Sequence, residues 1–464
     1  MWTNRLPRLD VLSEEQAEAI HDAAMTLLEE IGVRFSFEPA LQRFRDAGGA
    51  VEGDLVRLDR GFVAEQLAKA PDRFELHARN PERNVLVGGD HLALAPTGGA
   101  PFVLDPERGR RSPTAEDHTA FVRFTQAVPV FDLNESGIVE PDDLPVPTRH
   151  LDMDLDVLRW SDKPYFPVGA TYESSRDSVA LAAIVFGGRE AIAERPVMLG
   201  IVNPISPLSF DERMAGSAIA YAEGGQPVVF MPFVFAGGTA PLGLAGAVAQ
   251  MEAEVLAGLC LVQLVRPGNP VVMGSSVSEL DLHDGQPRYA TAFHGLAMLA
   301  SGQMARRLGL PFRGGGGFTS SATPDVRAMQ ESLMALWPAL LSGPHVLLHA
   351  AGWVEGSLAT SIEKMAQDVA ALEVFERLLA NDIPVDDDAL SLEALREVGP
   401  GGTFLGAAHT LRHFRETAAR QANEPLDWRA WLDRYEDPGL DPAVLAELDA
   451  FVARRRAETL AAGV

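Results

Sequence analysis

The side chains best placed for chemistry follow eight predicted strands, and most of them are small, aromatic or amide side chains. Examples are the segments Thr97-Gly98-Gly99, Asn203-Pro204 and Gly352-Trp353. These segments contain few of the histidine and carboxylate groups that hydrolases and proton-transferring enzymes use as acids and bases. A lyase or aldolase is also disfavoured, because Lys163 precedes a predicted strand instead of following one. The pattern favours a protein that mainly binds and orients its substrate.

Aromatic residues at the strand ends are candidates for holding a cation. Phe233 and Phe235 lie on one face of the fifth predicted strand by the two-residue period of a strand, and Tyr172, Phe318 and Trp353 follow other strands. The face of an aromatic ring stabilises a quaternary ammonium group by about 0.5–2 kcal/mol. Packing inside the protein is the alternative explanation for each of these rings.

Three ionisable residues complete the candidate binding site. Glu135, at the end of the second predicted strand, could supply the counter-charge to a cation, or it could be structural. Arg313 or His349 could pair with a substrate carboxylate, because a guanidinium group offers that group a fork of two hydrogen bonds. A role for His349 in the core is the alternative. No catalytic residue is predicted among the three.

A run of four glycines, Gly314-Gly315-Gly316-Gly317, ends the seventh predicted strand. Glycine allows the backbone to approach a ligand closely, so we include Gly315 and Gly316 in the candidate binding site. A tight turn that serves packing is the alternative. The run lacks the Lys-Ser/Thr ending of a phosphate-binding loop, which excludes a nucleoside triphosphate site of that kind.

No metal site is predicted. His345 and His349 flank a predicted strand, where four residues separate the α-carbons by about 13 Å, too far for one zinc ion. Cys260 is the single cysteine, and its apolar neighbours indicate a buried core thiol. Asp281-Leu282-His283-Asp284-Gly285 is one residue short of the D-x-H-x-x-G signature of cobalamin binding, and we interpret it as an ordinary loop.

Strands and helices alternate along the region that must position these residues. Eight βα units over roughly 290 residues fit an α/β fold of the (β/α)8 TIM barrel type better than a doubly wound sheet. The predicted strands lie at residues 91–95, 131–138, 165–170, 197–202, 228–235, 270–275, 311–317 and 346–350. We predict an N-terminal α+β lobe over residues 1–90, the barrel over 91–380, and a C-terminal helical extension packed on the barrel over 381–464.

Composition limits the location and the partners of the chain. Of its 464 residues, 47% are hydrophobic and 22% are charged, a balance typical of a globular protein. Its 39 basic and 65 acidic residues give a formal net charge of −26, which repels nucleic acids and anionic membranes. The N-terminal residues lack the apolar core of a signal peptide, and no apolar run is predicted to span a membrane. We therefore expect a cytoplasmic protein.

Several stretches, in the same order along the chain, resemble the trimethylamine/glycine betaine methyltransferase family of corrinoid-dependent methyltransferases. The stretches are Ser161-Asp162-Lys163-Pro164, Gly309-Leu310-Pro311 and Gly399-Pro400-Gly401-Gly402-Thr403-Phe404-Leu405-Gly406-Ala407-Ala408-His409-Thr410, with residues 21–33, 98–105, 109–114, 117 and 263–268. The resemblance implies a TIM barrel that transfers a methyl group from an amine to the Co(I) corrinoid, a cobalamin-type cofactor, of a separate corrinoid protein. It implies no cofactor bound by the chain itself.

The substrate class follows from what the sequence lacks. Trimethylamine-using members of the family carry pyrrolysine, whereas this chain has none and resembles the branch that includes glycine betaine methyltransferase. A quaternary amine that loses a methyl group leaves as a neutral amine and needs no proton. The expected substrate is therefore a betaine-like quaternary amine, and we also expect a homo-oligomer. A non-catalytic barrel that binds a quaternary amine is the alternative.

Overall fold

The computed structural model describes the backbone of residues 1–420 and 426–461 and the side chains of residues 1–415 and 426–461. Its first helix, Glu14–Thr26, begins after an N-cap at Ser13. Ser13 and Gln16 form a capping box, in which each side chain accepts a hydrogen bond from the backbone N–H of the other residue. The helix continues as a π-helical turn, Leu27–Ile31, and ends at Gly32. Gly32 has a φ of 82°, and a Cβ atom there would lie 2.7 Å from the carbonyl oxygen of Val56.

The other N-terminal elements are short. The helices are Glu38–Asp46 and Arg60–Leu67, and the strands are Trp2–Thr3, Val33–Phe35, Ala50–Glu52, Leu55–Arg57, Phe74–Leu76 and Val85–Val87. Val33, Phe35, Phe44 and Val56 are fully buried and belong to the same apolar core as the central strands and helices. Apolar burial thus packs this region against the rest of the protein.

A strand is present within each of the eight segments that the sequence predicts. In chain order they are β1 (His91–Leu94), β2 (Asn134–Glu135), β3 (Tyr165–Phe166), β4 (Gly200–Val202), β5 (Val228–Phe230), β6 (Val271–Gly274), β7 (Phe312–Gly315) and β8 (Val346–Leu348). Their residues are almost all buried, as expected for parallel strands covered on both sides. The α/β class predicted from the sequence is confirmed.

Most neighbouring strands in this series pair in parallel. β4, β5, β6, β7, β8 and β1 form one sheet in that order, and Trp2–Thr3 pairs antiparallel with β1. β2 and β3 form a separate parallel pair. An isolated bridge from Tyr165 to Met198 leads from β3 towards β4. On the other side, the N–H groups of Asp132 and Leu133 donate to the carbonyl oxygen of Leu94 at 2.9 and 3.1 Å.

A helix follows each of the eight strands before the next begins. These helices are Ala115–Ala127, Arg149–Trp160, Tyr172–Val185, Glu212–Glu223, Leu244–Val265, Ala292–Leu308, Val326–Leu341 and Ile362–Ala380. Several start at a capping hydroxyl; for example, the side chain of Thr171 accepts a hydrogen bond from the N–H of Ser174. The alternation of strand and helix brings the carboxyl ends of the strands to one side of the molecule.

The helix Leu244–Val265 corrects one expectation drawn from the sequence. Its 22 residues are long and apolar enough to span a membrane by length and composition, although no such run was predicted. Burial within the protein explains this apolar composition, because 89% of the most apolar 18-residue stretch of the helix is buried. Cys260 lies in this helix with no exposed surface, so the predicted core thiol is confirmed. Glu252 is also buried here, and it contacts Nδ1 of His21 at 2.5 Å.

Shorter elements extend the strand series beyond its carboxyl ends. Phe233–Ala236 pairs in parallel with Ser276–Leu280, which pairs antiparallel with Pro287–Arg288. The segment from Asp281 to Gly285 forms the turn of this last hairpin, where His283 is 98% exposed and bonds to Asp281 of its own loop. The segment is therefore a hairpin loop in the structure, and its interpretation as a segment without a cobalamin role stays a prediction. The remaining accessory elements are Phe102–Asp105, Gly109–Arg111, Arg189–Glu194, Ser209–Phe210, Trp353–Val354 and Ala359–Thr360.

The C-terminal part is helical in its described residues. Its helices are Asp387–Leu390, Leu392–Val398, Ala408–Arg420, Trp428–Asp433 and Pro442–Ala461. The hydroxyl of Tyr435 donates to the carbonyl oxygen of Trp160 at 3.1 Å, and Arg455 forms a 2.7 Å ion pair with Asp177. These contacts pack the last helices against two of the helices that follow the strands.

Candidate substrate-binding cavity

A cavity of about 380 Å³ lies at the carboxyl ends of the strands. Every strand from β1 to β8, or the loop directly after it, contributes to its wall. The lining residues are Gly98, Gly99, Glu135, Gly137, Glu140, Pro167, Val168, Gly169, Ala170, Ile201, Asn203, Met214, Met231, Phe233, Ser276, Tyr289, Phe318, Leu348, His349, Trp353 and Ser357. The volume suits a small organic molecule, and the lining is mainly apolar with a few polar groups.

Aromatic rings form a continuous part of the wall. Phe318 stacks on Tyr289 with ring centroids 4.5 Å apart and an angle of 14° between the planes. The ring of His349 lies 5.5 Å from Phe318 and 5.5 Å from Trp353, so four rings follow one another. Phe233 lines the same cavity and keeps 38% of its surface exposed. Such a wall can surround a fixed cation with ring faces.

His349 is held in a restricted backbone conformation in the wall. It follows β8 directly and has a φ of 65°, a left-handed conformation that few residues other than glycine adopt. Its Nδ1 atom accepts a hydrogen bond from the backbone N–H of Gly98 at 3.3 Å. Burial lowers the pKa of the imidazole well below its ordinary value, and Arg313 adds to the effect. The ring is therefore neutral and carries its proton on Nε2, which makes it a hydrogen-bond donor.

Glu135 is buried at the end of β2, with one oxygen satisfied. Oε1 accepts the N–H of Gly137 at 2.8 Å, whereas Oε2 has no hydrogen-bond partner among the described residues. Gly98 leaves room for this carboxyl group, because a Cβ atom at Gly98 would lie 3.0 Å from Cδ of Glu135. Burial raises the pKa of Glu135 to about 8, and the charge of Arg313 only partly opposes this. At neutral pH the predicted counter-charge is mostly protonated.

Arg313 lies beside the cavity without lining it. The side chain is 1% exposed; Nη1 donates to the carbonyl oxygen of Ser275 at 3.3 Å, and Nε and Nη2 find no partner within the described chain. A Cβ atom at Gly315 would lie 3.5 Å from Nη1 and 3.0 Å from the ring of Phe318. The guanidinium group thus lies close behind the aromatic wall, and burial lowers its pKa. In this arrangement His349 lines the cavity and Arg313 does not.

Four other residues of the predicted site also lie off the cavity wall, namely Tyr172, Phe235, Gly315 and Gly316. Tyr172 begins a helix, donates its hydroxyl to Glu223 at 3.0 Å and packs near Phe37. Phe235 lies on the accessory strand, where its ring contacts Phe233 at 5.9 Å.

Gly315 and Gly316 of the glycine run serve packing. A Cβ atom at Gly316 would lie 2.8 Å from Cδ2 of Leu336, in the following helix, and one at Gly315 would press on Phe318. Neither glycine lines the cavity, and their predicted part in binding stays a prediction. The cavity unites Glu135, Phe233, Phe318, His349 and Trp353 of the predicted set.

Tyr289, Met231 and Asn203 line the cavity without having been singled out as site residues. Asn203 follows β4 directly, so its position at a strand end was a usable signal. Its Oδ1 atom is buried and has no hydrogen-bond partner among the described residues. Tyr289 lies in a loop two residues before the helix cap Thr291, and no periodic pattern marks it.

His345 and Lys163, which were not predicted to be site residues, both lie outside the cavity lining. His345 lies before β8, and its Nδ1 atom accepts a hydrogen bond from the N–H of Phe312 at 2.9 Å. Since His349 follows the same strand, the two imidazoles lie at opposite ends of β8. Lys163 is buried and donates to the carbonyl oxygens of Thr125 and Val128 at 2.6 and 2.9 Å. It does not line the cavity.

Comparison with known proteins gives consistent matches over nearly the whole chain. Residues 1–418 match the family model described as trimethylamine methyltransferase (MTTB). The chain is 40% identical to the glycine betaine methyltransferase of Desulfitobacterium hafniense (strain Y51), with 98% of each protein covered. It is 28% identical to the proline betaine:corrinoid methyltransferase of Eubacterium limosum, covering 90% of this chain and 87% of that protein.

A solved structure shares the fold. The monomethylamine methyltransferase MtmB of Methanosarcina barkeri superposes with a TM-score of 0.53 at 10% identity. The match covers 96% of this chain and 89% of that one. At this identity the likeness concerns the architecture alone.

Proposed function

The chain belongs to the trimethylamine methyltransferase family, and from that premise we propose that it transfers a methyl group from a betaine-like quaternary amine to the Co(I) corrinoid of a separate protein. The observation that carries the proposal is the 40% identity, over 98% of both chains, to a protein named glycine betaine methyltransferase. The aromatic lining of the cavity supports a quaternary ammonium group as the part of the substrate that is bound.

The proposed reaction requires little acid or base catalysis by the protein. When a quaternary amine gives up a methyl group, the electron pair of the C–N bond stays on nitrogen, and the tertiary amine leaves without a proton. The methyl carbon takes its new bonding pair from the Co(I) of the corrinoid. The residues of this chain therefore bind and orient the substrate and exclude water, as a neutral His349 and a protonated Glu135 can do.

The two ends of a betaine find different partners in the cavity. The trimethylammonium end packs against Phe318, Tyr289 and Trp353, where a fixed cation gains from the ring faces. The carboxylate accepts a hydrogen bond from Nε2 of His349, the donor that the bond from Gly98 leaves free.

We infer that β1–β8 form a (β/α)8 TIM barrel with the cavity at its mouth. The inference is supported by the eight parallel strands, each followed by a helix, and by the bonds from Asp132 and Leu133 to Leu94 between β1 and β2. Residues 1–90 form the N-terminal lobe and residues 381–464 the extension in this proposal. The corrinoid protein docks over the mouth, the chain itself holds no cofactor, and the enzyme is a cytoplasmic homo-oligomer.

A methyl-transfer assay tests the proposed function. The purified protein is mixed with a reduced corrinoid protein and, separately, with glycine betaine, proline betaine, tetramethylammonium and trimethylamine, while the cobalt absorption spectrum is followed. We expect methylation of the corrinoid with a betaine and none with trimethylamine. Trimethylamine turnover as fast as that of the best betaine would refute the assignment to quaternary amines. Calorimetric binding of a betaine, with no transfer to any corrinoid protein, would favour the non-catalytic binding protein instead.

A further inference from the structure

Three possible metal ligands converge in the C-terminal part of the described chain, outside the cavity. His409 and His413 are one helical turn apart on the helix Ala408–Arg420, and Asp388 lies on the short helix Asp387–Leu390. One ligand atom from each residue lies within 4.8 Å of the other two. Side chains four residues apart project from the same face of a helix, which explains why the two imidazoles meet.

The contacts within this group resemble those of ligands that share an ion. Nε2 of His413 lies 3.1 Å from Oδ2 of Asp388, and it is buried without a hydrogen bond of acceptable geometry. In a tetrahedral site with bonds of about 2.0–2.1 Å to zinc, neighbouring ligand atoms are about 3.3 Å apart. The two atoms are thus at ligand-to-ligand distance but do not point at each other. The ring of His409 lies 4.6 Å from that of His413.

We propose that Asp388, His409 and His413 bind one divalent transition-metal ion, with zinc preferred. Two imidazole nitrogens and one carboxylate oxygen form a ligand set suited to zinc, whereas calcium and magnesium prefer oxygen ligands alone. Oγ of Ser391 lies 2.8 Å from Nε2 of His409 and fixes the orientation of that ring. Water completes the coordination, because Asp388 and His413 retain side-chain exposures of 63% and 37%.

The site adds to the sequence analysis, which predicted no metal ligands. The spacing His409-x-x-x-His413 was a usable signal once the segment was recognised as a helix, but the third ligand is 21 positions earlier than His409 and only the tertiary structure supplies it. A bound ion would connect the helix of Asp388 to the helix of the two histidines, and it would stabilise this part of the fold. The proposal is independent of the methyl-transfer function.

Metal titration of the intact chain tests the proposal. The protein is freed of metal with a chelator, dialysed, and titrated with zinc chloride in a calorimeter and with cobalt(II) in a spectrophotometer. We expect one equivalent of zinc to bind, the unfolding midpoint to rise with zinc, and cobalt(II) to develop ligand-field bands that zinc displaces. An absence of these bands at one equivalent of cobalt would overturn the proposal without the use of any variant.

Variants assign the ligands. His409→Ala, His413→Ala and Asp388→Asn should each weaken zinc binding at least tenfold, whereas His283→Ala, which removes an exposed histidine elsewhere, should leave it unchanged. Circular dichroism of the metal-free proteins verifies that each variant is folded. Zinc binding by His413→Ala equal to that of the wild-type chain, or an equal loss in His283→Ala, would show that the ion binds elsewhere on the surface.

Discussion

The backbone N–H of Gly98, after β1, donates a hydrogen bond to Nδ1 of His349, after β8, across 3.3 Å. This bond determines which imidazole nitrogen carries the proton, because the nitrogen that accepts from Gly98 must be unprotonated. Burial lowers the pKa of His349 well below its ordinary value, so the ring remains neutral near pH 7. A backbone contact between two strand ends thereby prepares a hydrogen-bond donor in the cavity.

Removal of that donor should distinguish betaines from simple cations. In His349→Asn the shorter side chain loses the reach of Nε2, while asparagine tolerates the φ of 65° at this position. A hydrogen bond to a charged group contributes about 1.5–3 kcal/mol, so the affinity for glycine betaine should fall by about 10- to 100-fold. Tetramethylammonium, which has no carboxylate, should bind nearly as before. Equal losses for both ligands in calorimetric titrations would contradict the assigned donor role.

The aromatic wall should contribute to the binding of any quaternary cation. Trp353→Ala and Phe233→Ala should each weaken binding by about 1–2 kcal/mol, since each removes a ring from the cavity. Tyr172→Phe is a matched control, because Tyr172 lies off the cavity and loses only its contact with Glu223. Dissociation constants from calorimetry provide the measurement. Unchanged affinity in both alanine variants would show that these two rings do not contribute to binding.

Affinity for a quaternary amine should increase with pH. Burial raises the pKa of Glu135 to about 8, so the carboxyl group loses its proton and becomes a counter-charge as the pH rises through that value. Binding of the cation favours the ionised form, and dissociation constants measured from about pH 6.5 to 8.5 should decrease. Glu135→Gln should abolish this dependence while it preserves the shape of the site. A pH profile identical in the variant would assign the effect to another group.

A buried ion pair should support both stability and the position of Trp353. Asp368 pairs with Lys364, and its second oxygen accepts the N–H of Gly352 at 2.9 Å, directly before Trp353. Asp368→Asn leaves a buried ammonium group without its counter-charge and should lower the free energy of unfolding by about 3–5 kcal/mol.

The matched control for this variant is Glu65→Gln. Glu65 and Lys69 have the same four-residue spacing, but their side chains are 66% and 32% exposed, so their separation should cost less than about 1 kcal/mol. Denaturant unfolding compares the two variants, with the total tryptophan fluorescence of the chain as a second readout. Similar losses in both variants would show that burial of the pair does not govern its contribution.

Local patterns in the sequence were sufficient to predict the secondary-structure elements. The eight strands depend on residues near one another in the chain, and each is found within the segment where it was predicted. Hydrophobic periodicity records which face of an element is buried, so it predicts strands and helices without knowledge of their partners. The placement of a cavity at the strand ends follows from the order of those elements.

Which residues meet in the cavity depended on the tertiary structure. Tyr289 stacks on Phe318 from a loop that no periodic pattern marks, and Arg313 lies behind the wall that it was predicted to join. The protonation of Glu135 and His349 likewise results from surrounding groups that are distant in the chain. Side-chain type and strand position can therefore be derived from sequence, but burial, ring contacts and pKa values are set by neighbours that only folding brings together.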